Sequence, residues 1–251
     1  MRTNRPAQTL LLAIAISSSL AAAEAPATLF AVGTAHDSDT GYLLYREYHY
    51  CEQDRLLCTV EYRDTFGLIF AKKHLDYRQS PVSPALVFSD YRRGVEVRIP
   101  AGANQGVVVD AGFDNFVRSI WDTLVSGDSK KFLFLPMGFD APFKMKAERS
   151  HASDCPPATL CLKIAVDSWF LGIITDPIEL AYSRTERRLH KFSGISNIKA
   201  ENGQSLSVDI HYRYDADPQL MVFPQASGLC CEPNSGSSRN TCCLQHQKVP
   251  L

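Results

Sequence analysis

From Gly41 onward, apolar and polar positions alternate through most of the chain with the period of two that half-buried β-strands require. The clearest cases set Val95, Val97 and Ile99 against Glu96 and Arg98, and Val208, Ile210, Tyr212 and Tyr214 against Asp209, His211 and Arg213. Further strands are expected over 41–50, 57–63, 68–75, 86–91, 107–110, 132–135, 143–149, 160–166, 178–183 and 188–192. Most of the intervals between them are short and carry Gly, Pro, Asn or Asp. Connections of that length join antiparallel neighbours, because a βαβ crossover needs about a dozen residues or more. The pattern therefore predicts a mainly β fold, a curved antiparallel sheet or partly open barrel.

One segment breaks the alternation. Phe113, Phe116, Val117, Ile120, Trp121 and Leu124 recur at three- and four-residue spacing, with Asp114, Arg118, Ser119, Asp122 and Thr123 on the other side. This predicts a single amphipathic helix over 113–125, started by Asp110 or Asp114 as a cap and stopped by Gly127. Its aromatic stripe should lie against the sheet.

The two ends of the chain read differently. Arg2 and Arg5 precede an apolar run from Leu10 to Ile16, and small-residue patterns follow at Ala21-Ala22-Ala23 and Ala23-Glu24-Ala25. Residues 1–25 read as a secretory signal peptide, which implies a periplasmic or secreted protein. Neither cleavage point carries a cysteine that could take a lipid anchor. A single β-rich domain is expected over 26–215. After Asp215 the periodicity fails, and 216–251 reads as an irregular, cysteine-rich tail.

Composition narrows the partners. There are 26 basic and 27 acidic side chains, and the basic ones are dispersed, so nucleic acid is not an expected partner. No apolar run approaches the roughly 20 residues that span a bilayer as a helix. Eight cysteines in an exported chain point to disulfides. Cys51 with Cys58, and Cys155 with Cys161, read as short loop staples. Cys230, Cys231, Cys242 and Cys243 permit three connectivities, and the sequence does not choose among them. A metal site on these four competes with disulfides, but adjacent cysteines do not match the ligand spacing of about two to four residues that zinc favours.

Candidate chemistry is sparse. His36-Asp37-Ser38-Asp39 gathers an imidazole and two carboxylates, as a cation or acid/base site would, and equally reads as a polar turn. The other histidines are scattered singly, and His211 falls on the polar face of its strand. Gly194-Ile195-Ser196-Asn197 lacks the second glycine of a nucleophile elbow. Ala101-Gly102-Ala103-Asn104-Gln105-Gly106 lacks a P-loop lysine and reads as a hairpin turn. No catalytic residue, metal ligand or cofactor is assigned. Paired carboxylates brought together by folding leave a hydrolase as the least favoured reading. The strongest apolar run outside the N-terminal segment, Trp169-Phe-Leu-Gly-Ile-Ile174, is either core or the lining of an apolar pocket.

Three further motifs carry a likeness. Gly112-Phe-Asp-Asn-Phe-Val117 leads to Trp121, Asp176-Pro-Ile-Glu-Leu-Ala-Tyr182 is followed by Arg187-Arg188-Leu189, and Gly194-Ile-Ser-Asn-Ile198 closes the set. On these the chain resembles a group of exported β-rich proteins of Gram-negative bacteria to which no mechanism is attached. It is also loosely similar to periplasmic lipoprotein carriers, whose half-barrel sheet shelters acyl chains beneath helices. The leading expectation is a non-enzymatic periplasmic protein that binds something apolar, a lipid or lipoprotein segment, between the curved sheet and the helix at 113–125, with Phe113, Phe116, Trp121, Trp169 and Phe170 burying it. The alternative expectation is an envelope interaction or scaffold protein with no small-molecule ligand, using the cysteine-rich tail as its contact.

Overall fold

The computed structural model describes residues 27–102, 105–150, 155–167 and 177–214. The segments expected as signal peptide (1–25) and tail (216–251), Trp169, Phe170 and the last four cysteines lie outside the described residues. Thirteen strands make one sheet: β1 (Thr28–Asp37), β2 (Leu43–Cys51), β3 (Leu57–Arg63), β4 (Ile69–Asp76), β5 (Ala85–Asp90), β6 (Val95–Ile99), β7 (Val107–Val109), β8 (Lys130–Leu135), β9 (Phe143–Arg149), β10 (Thr159–Val166), β11 (Ile178–Ser183), β12 (Leu189–Lys199) and β13 (Ser205–Tyr214). Their order across the sheet is β6-β5-β4-β3-β2-β1-β13-β12-β11-β10-β9-β8-β7. The fold is mainly β, and because β6 and β7 are the two edges, the sheet is curved but not closed by its own ladder.

Neighbours pair antiparallel except at one edge, where Val107–Val109 runs parallel to Leu133–Leu135. The intervening chain is the helical segment, which supplies the crossover length that a parallel pair requires. For the same reason 101–106 does not close a hairpin: it links β6 to β7, the opposite edges of the sheet. Register shifts between Leu29 and Ala31, between Ala35 and His36, between Tyr62 and Arg63, and between Ile195 and Lys199 bend the strands. Such irregularities raise local twist and let a wide sheet curl.

The expected single helix is two. A 3-10 turn over Asp110–Gly112 leads into α1 (Phe113–Ser119), and α2 (Trp121–Ser126) follows after Ile120, whose φ of −108° and ψ of 19° are not helical. The Ser119 hydroxyl donates to the Phe116 carbonyl at 2.7 Å, the kind of back-bonding that bends helices. Neither carboxylate caps the start, because Asp110 and Asp114 are both committed elsewhere. Gly127 ends α2 at φ 94°, a left-handed conformation that favours glycine.

Two strand assignments differ from the pattern reading. β1 carries its inward positions on Ala31, Gly33 and Ala35, so the alternation is present but written in small residues. They are small because of what lies over them: a Cβ on Gly33 would fall 2.8 Å from the Tyr212 ring. β12 continues past Phe192 to Lys199, and there its inward side includes Ser196, which is buried and shares a 2.7 Å hydrogen bond with the Tyr45 hydroxyl.

Two apolar clusters fill the inner face. In the first, Tyr45, Val60, Tyr62, Phe70, Leu86 and Phe88 from one half of the sheet meet Val107, Val109, Leu135 and Met137 from the far edge. In the second, Val117, Trp121 and Leu124 cover Met145, Ala147, Leu160, Leu162, Ile164, Leu180 and Tyr182. Disulfides join Cys51 to Cys58 across the β2–β3 ladder and Cys155 to Cys161 at the start of β10. Disulfides fit an extracytoplasmic protein. No described helix is long and apolar enough to cross a membrane.

Candidate functional site

The helical cover is the element that the sequence singled out, and its three described candidates all face the sheet. Trp121 is buried and meets the Tyr182 ring edge to face at 5.9 Å. Phe116 packs on Phe132 with ring centroids 4.5 Å apart, and Phe113, only partly buried, sits 5.6 Å from Phe134 and 5.8 Å from Phe132. These four phenyl rings form one aromatic layer between α1 and β8. Trp169 and Phe170, the other two candidates, are not among the described residues.

Few polar contacts fasten this cover. The Tyr182 hydroxyl donates to Asp114 Oδ1 at 3.0 Å, Asp114 pairs with Arg118 one turn on, and Asn115 Nδ2 donates to the Pro81 carbonyl at 2.8 Å. Burial pushes the Tyr182 phenol well above its ordinary pKa, and the Asp114 charge and hydrogen bond add to that, so the hydroxyl remains a donor. At the entrance to α1, Gly112 lies so near the β4–β5 connection that a Cβ would stand 2.2 Å from the Val82 carbonyl oxygen. Helices of seven and six residues have little stability of their own and depend on the apolar layer beneath them.

Between the two apolar clusters runs a set of buried polar groups that pattern reading did not find. Lys73 Nζ donates to Asp110 Oδ2 at 2.6 Å, with both side chains 5% exposed or less. Asn197 Nδ2 donates to the other Asp110 oxygen at 3.0 Å. Desolvation works to raise the Asp110 carboxyl, but the Lys73 charge, the hydrogen bonds from Lys73 and Asn197, and the Met137 amide outweigh it and hold the carboxyl below its ordinary pKa. Asp110 adopts φ 36°, an unusual conformation for a residue with a Cβ, held by these bonds. Nearby, Glu47 accepts from the Tyr212 hydroxyl at 3.0 Å and lies 3.1 Å from His49 Nε2. Burial, with the Glu47 charge second, pushes the phenols of Tyr45, Tyr62 and Tyr212 well above their usual range.

Lys73 on the inward phase of its strand signalled a buried charge, whereas Asp110 stood out only as a cap candidate and Asn197 only within Gly194–Ile198, and nothing local joined the three. Its members bond to one another and line neither of two clefts found among the described residues. One cleft, of about 670 Å³, is bordered by Gly127, Asp128, Glu148, Arg149, Lys163 and Glu179. It is a polar surface in which Lys163 stands between Glu148 and Glu179 on adjacent strands. The other, of about 320 Å³, lies among Gln79, Val82, Ser83, Gly102, Gln105 and Val107. The His36–Asp39 cluster is a turn: Asp37 Oδ1 accepts from the Thr40 amide at 2.9 Å and its hydroxyl at 2.7 Å. Among the described residues no three His, Cys, Asp or Glu side chains converge as a metal site would need.

No family model matches the chain, and no curated protein does. Among solved structures it is similar to one described as a "putative outer membrane lipoprotein-sorting protein domain" from Vibrio parahaemolyticus. The match covers 78% of this chain and 87% of that one at 6% identity and a TM-score of 0.27. A likeness of that size carries no argument here, and the functional reading rests on the chain's own geometry.

Proposed function

We propose that this protein binds a hydrophobic ligand outside the cytoplasm, a lipid or an acylated lipoprotein segment, between the inner face of the sheet and the cover α1–α2, without chemistry on it. The observation that supports this reading is the cover itself. An apolar surface contributed by β9, β10 and β11 is sheltered by two helices of about two turns each, interrupted at Ile120. Apart from the bonds of Asp114 and Asn115, the contacts that hold them are apolar and non-directional, so an acyl chain can replace those in kind. Phe113, Phe132 and Phe134, the partly exposed members of the aromatic layer, mark the margin where a chain would enter, with Phe116 and Trp121 behind them. Burial of the ionisable groups as mutually paired sets supports a structural rather than catalytic role for them.

Native mass spectrometry of the full exported chain, before and after gentle collisional activation, is the first test. A discrete lipid-sized adduct lost on activation is the expected result; a bare mass in every preparation would overturn the reading. Titration with a fluorescent fatty acid then tests the position. Trp121→Phe, which keeps an aromatic ring on Tyr182, should lower the urea midpoint modestly as a buried large-to-small change, keep a cooperative transition, and weaken binding several-fold under conditions where the variant is fully folded. The scaffold reading draws on the well-filled inner face, and it gains if the bare mass is found.

A further inference from the structure

Apolar residues crowd one end of the sheet. β1 and β2 are antiparallel, as are β3 with β4, β5 with β6, and β12 with β13, so the turns 38–42, 64–68, 91–94 and 200–204 all emerge on the same side. They also meet: Arg92 Nη2 donates to the Lys199 carbonyl at 3.1 Å, which brings the β5–β6 turn round to the β12–β13 turn. Six large apolar side chains among the described residues are more than half exposed, and four of them are on these turns: Tyr42 at 75%, Phe66 at 87%, Leu68 at 67% and Tyr91 at 57%. The opposite end of the same strands carries Glu52, Asp54, Arg55, Arg78 and Gln79.

We infer that this rim docks on the surface of a lipid bilayer. This goes beyond the ligand reading and uses none of the residues assigned to it. Hairpins two strands apart stand about 10 Å from one another, so the apolar tips are separate points along a line of about 20 Å rather than a continuous patch. A protein partner would need a shape fitted to each tip, whereas a fluid interface accepts each independently. Tyrosine and phenylalanine are the side chains that settle at the level of headgroups and upper acyl chains.

The charges at the rim define the lipid. Asp37 is bonded to Thr40, Asp64 accepts from the amides of Phe66 and Leu68 within its own turn, and Asp90 pairs with Arg92. Hydrogen bonds from neutral groups do not cancel charge, so the four turns, counted with Asp37, Asp90 and Lys199 at the adjoining strand ends, carry five carboxylates, Asp37, Asp39, Asp64, Asp90 and Glu201, against three cations, Arg92, Arg93 and Lys199. A rim of mixed sign with a small acidic excess is repelled by an anionic surface and meets zwitterionic headgroups, which present both signs, without that cost. The carboxylate of Asp64 also fixes the Phe66–Leu68 tip, which spares the ordering cost on insertion.

The test is co-sedimentation of the full chain with phosphatidylcholine vesicles at low salt and at about 0.5 M NaCl, where the Debye length falls well below 10 Å. Binding that survives high salt, and a partition coefficient at least tenfold lower for the double variant Phe66→Ser, Leu68→Ser, are expected. Both side chains are solvent-exposed, so the variant should keep the parental urea midpoint, and its fatty-acid affinity without vesicles should be unchanged. No sedimentation with vesicles would overturn the inference. So would equal partition of the variant, or binding abolished by salt. Capture of a protein from envelope extracts by a chain that ignores vesicles would transfer the rim to a protein partner and likewise overturn it.

Discussion

Replacing Lys73 by Met tests whether the buried pair organises the inner face. Asp110 would keep its hydrogen bonds from Asn197 and the Met137 amide but lose its only counter-charge at a site about 5% exposed. Removing one partner of a buried pair costs about 3–5 kcal/mol, whereas replacing both by groups of similar volume is often neutral or stabilising. Lys73→Met and Asp110→Asn should therefore each lower the unfolding temperature by roughly 6–20 °C, at about 2–4 °C per kcal/mol for a domain of this size. The double variant should recover most of that loss, giving a coupling of at least about 2 kcal/mol in a double-mutant cycle read by urea denaturation with the disulfides intact. Acid provides a second reading of the same pair. Asp110 has its carboxyl pKa depressed by folding, so the unfolded chain takes up its proton first as pH falls. The stabilisation is then complete well above the ordinary aspartate value of about 3.9 and is lost as pH drops through that value toward the folded one. The double variant should show a shallower decline over that window. Single variants that each cost under about 1 kcal/mol, or a double variant as unstable as the sum of the two, would refute the reasoning.

Gly112→Ala should destabilise by about 1–3 kcal/mol in the same denaturation assay, because its Cβ would meet the Val82 carbonyl rather than a movable side chain; an unchanged midpoint would show that the two segments can separate freely. Cys51→Ala with Cys58→Ala should lower stability by about 2–3 kcal/mol, the closure entropy of a loop of this length, while leaving the β2–β3 amides protected from exchange. Tyr182→Phe removes the hydroxyl that reaches Asp114, a partner more than a third exposed, so the loss should be about 1 kcal/mol or less and should appear as faster exchange of the α1 amides. Hydrogen exchange of the unmodified protein should be faster over β7 and α1 than over β1 and β2, since β7 has three ladder positions and a neighbour on one side only; equal protection would contradict the view of β7 as a loosely held edge.

How much of this was legible before the structure depended on which residues carried the signal. Strands with large inward side chains, such as β6 and β13, declare themselves through alternation. β1 does not, because Tyr212 occupies the space above Gly33 and forces small residues beneath it. The amphipathic stripe over 113–125 located the cover but not its break, since the back-bond from Ser119 that helps interrupt it follows no spacing rule. The cysteine spacings were read as local staples because short loops can be closed without long-range information. By contrast, the Lys73–Asp110–Asn197 set joins positions 37 and 87 residues apart, and no local pattern can announce that. Tyr42, Leu68 and Tyr91 fell inside the expected strands 41–50, 68–75 and 86–91 rather than at turns, and only the strand order puts them with Phe66 on one rim.

The way the sheet fails to close bears on what it can hold. A barrel completes its ladder and can open only by breaking backbone hydrogen bonds. Here the two edges never pair: β7 comes over the inner face of β3–β5, where Val107 and Val109 join the cluster of Val60, Tyr62, Phe70 and Phe88. The bonds across that junction are side-chain and isolated ones: Lys73 and Asn197 to Asp110, the Tyr77 hydroxyl to the Ala111 carbonyl, Asn115 to the Pro81 carbonyl, and a single backbone contact from the Val109 amide to the Val82 carbonyl at 2.9 Å. Thus the closed interior is maintained by packing and one polar hub, and the hub stands at the mouth of the segment that leads directly into α1. Displacement of the cover by a ligand would pull first on Gly112 and then on Asp110, before disturbing any long strand pair. An interior that is full in this state and an interior that can admit an acyl chain are compatible for that reason: the elements that must move are the ones the ladder does not own.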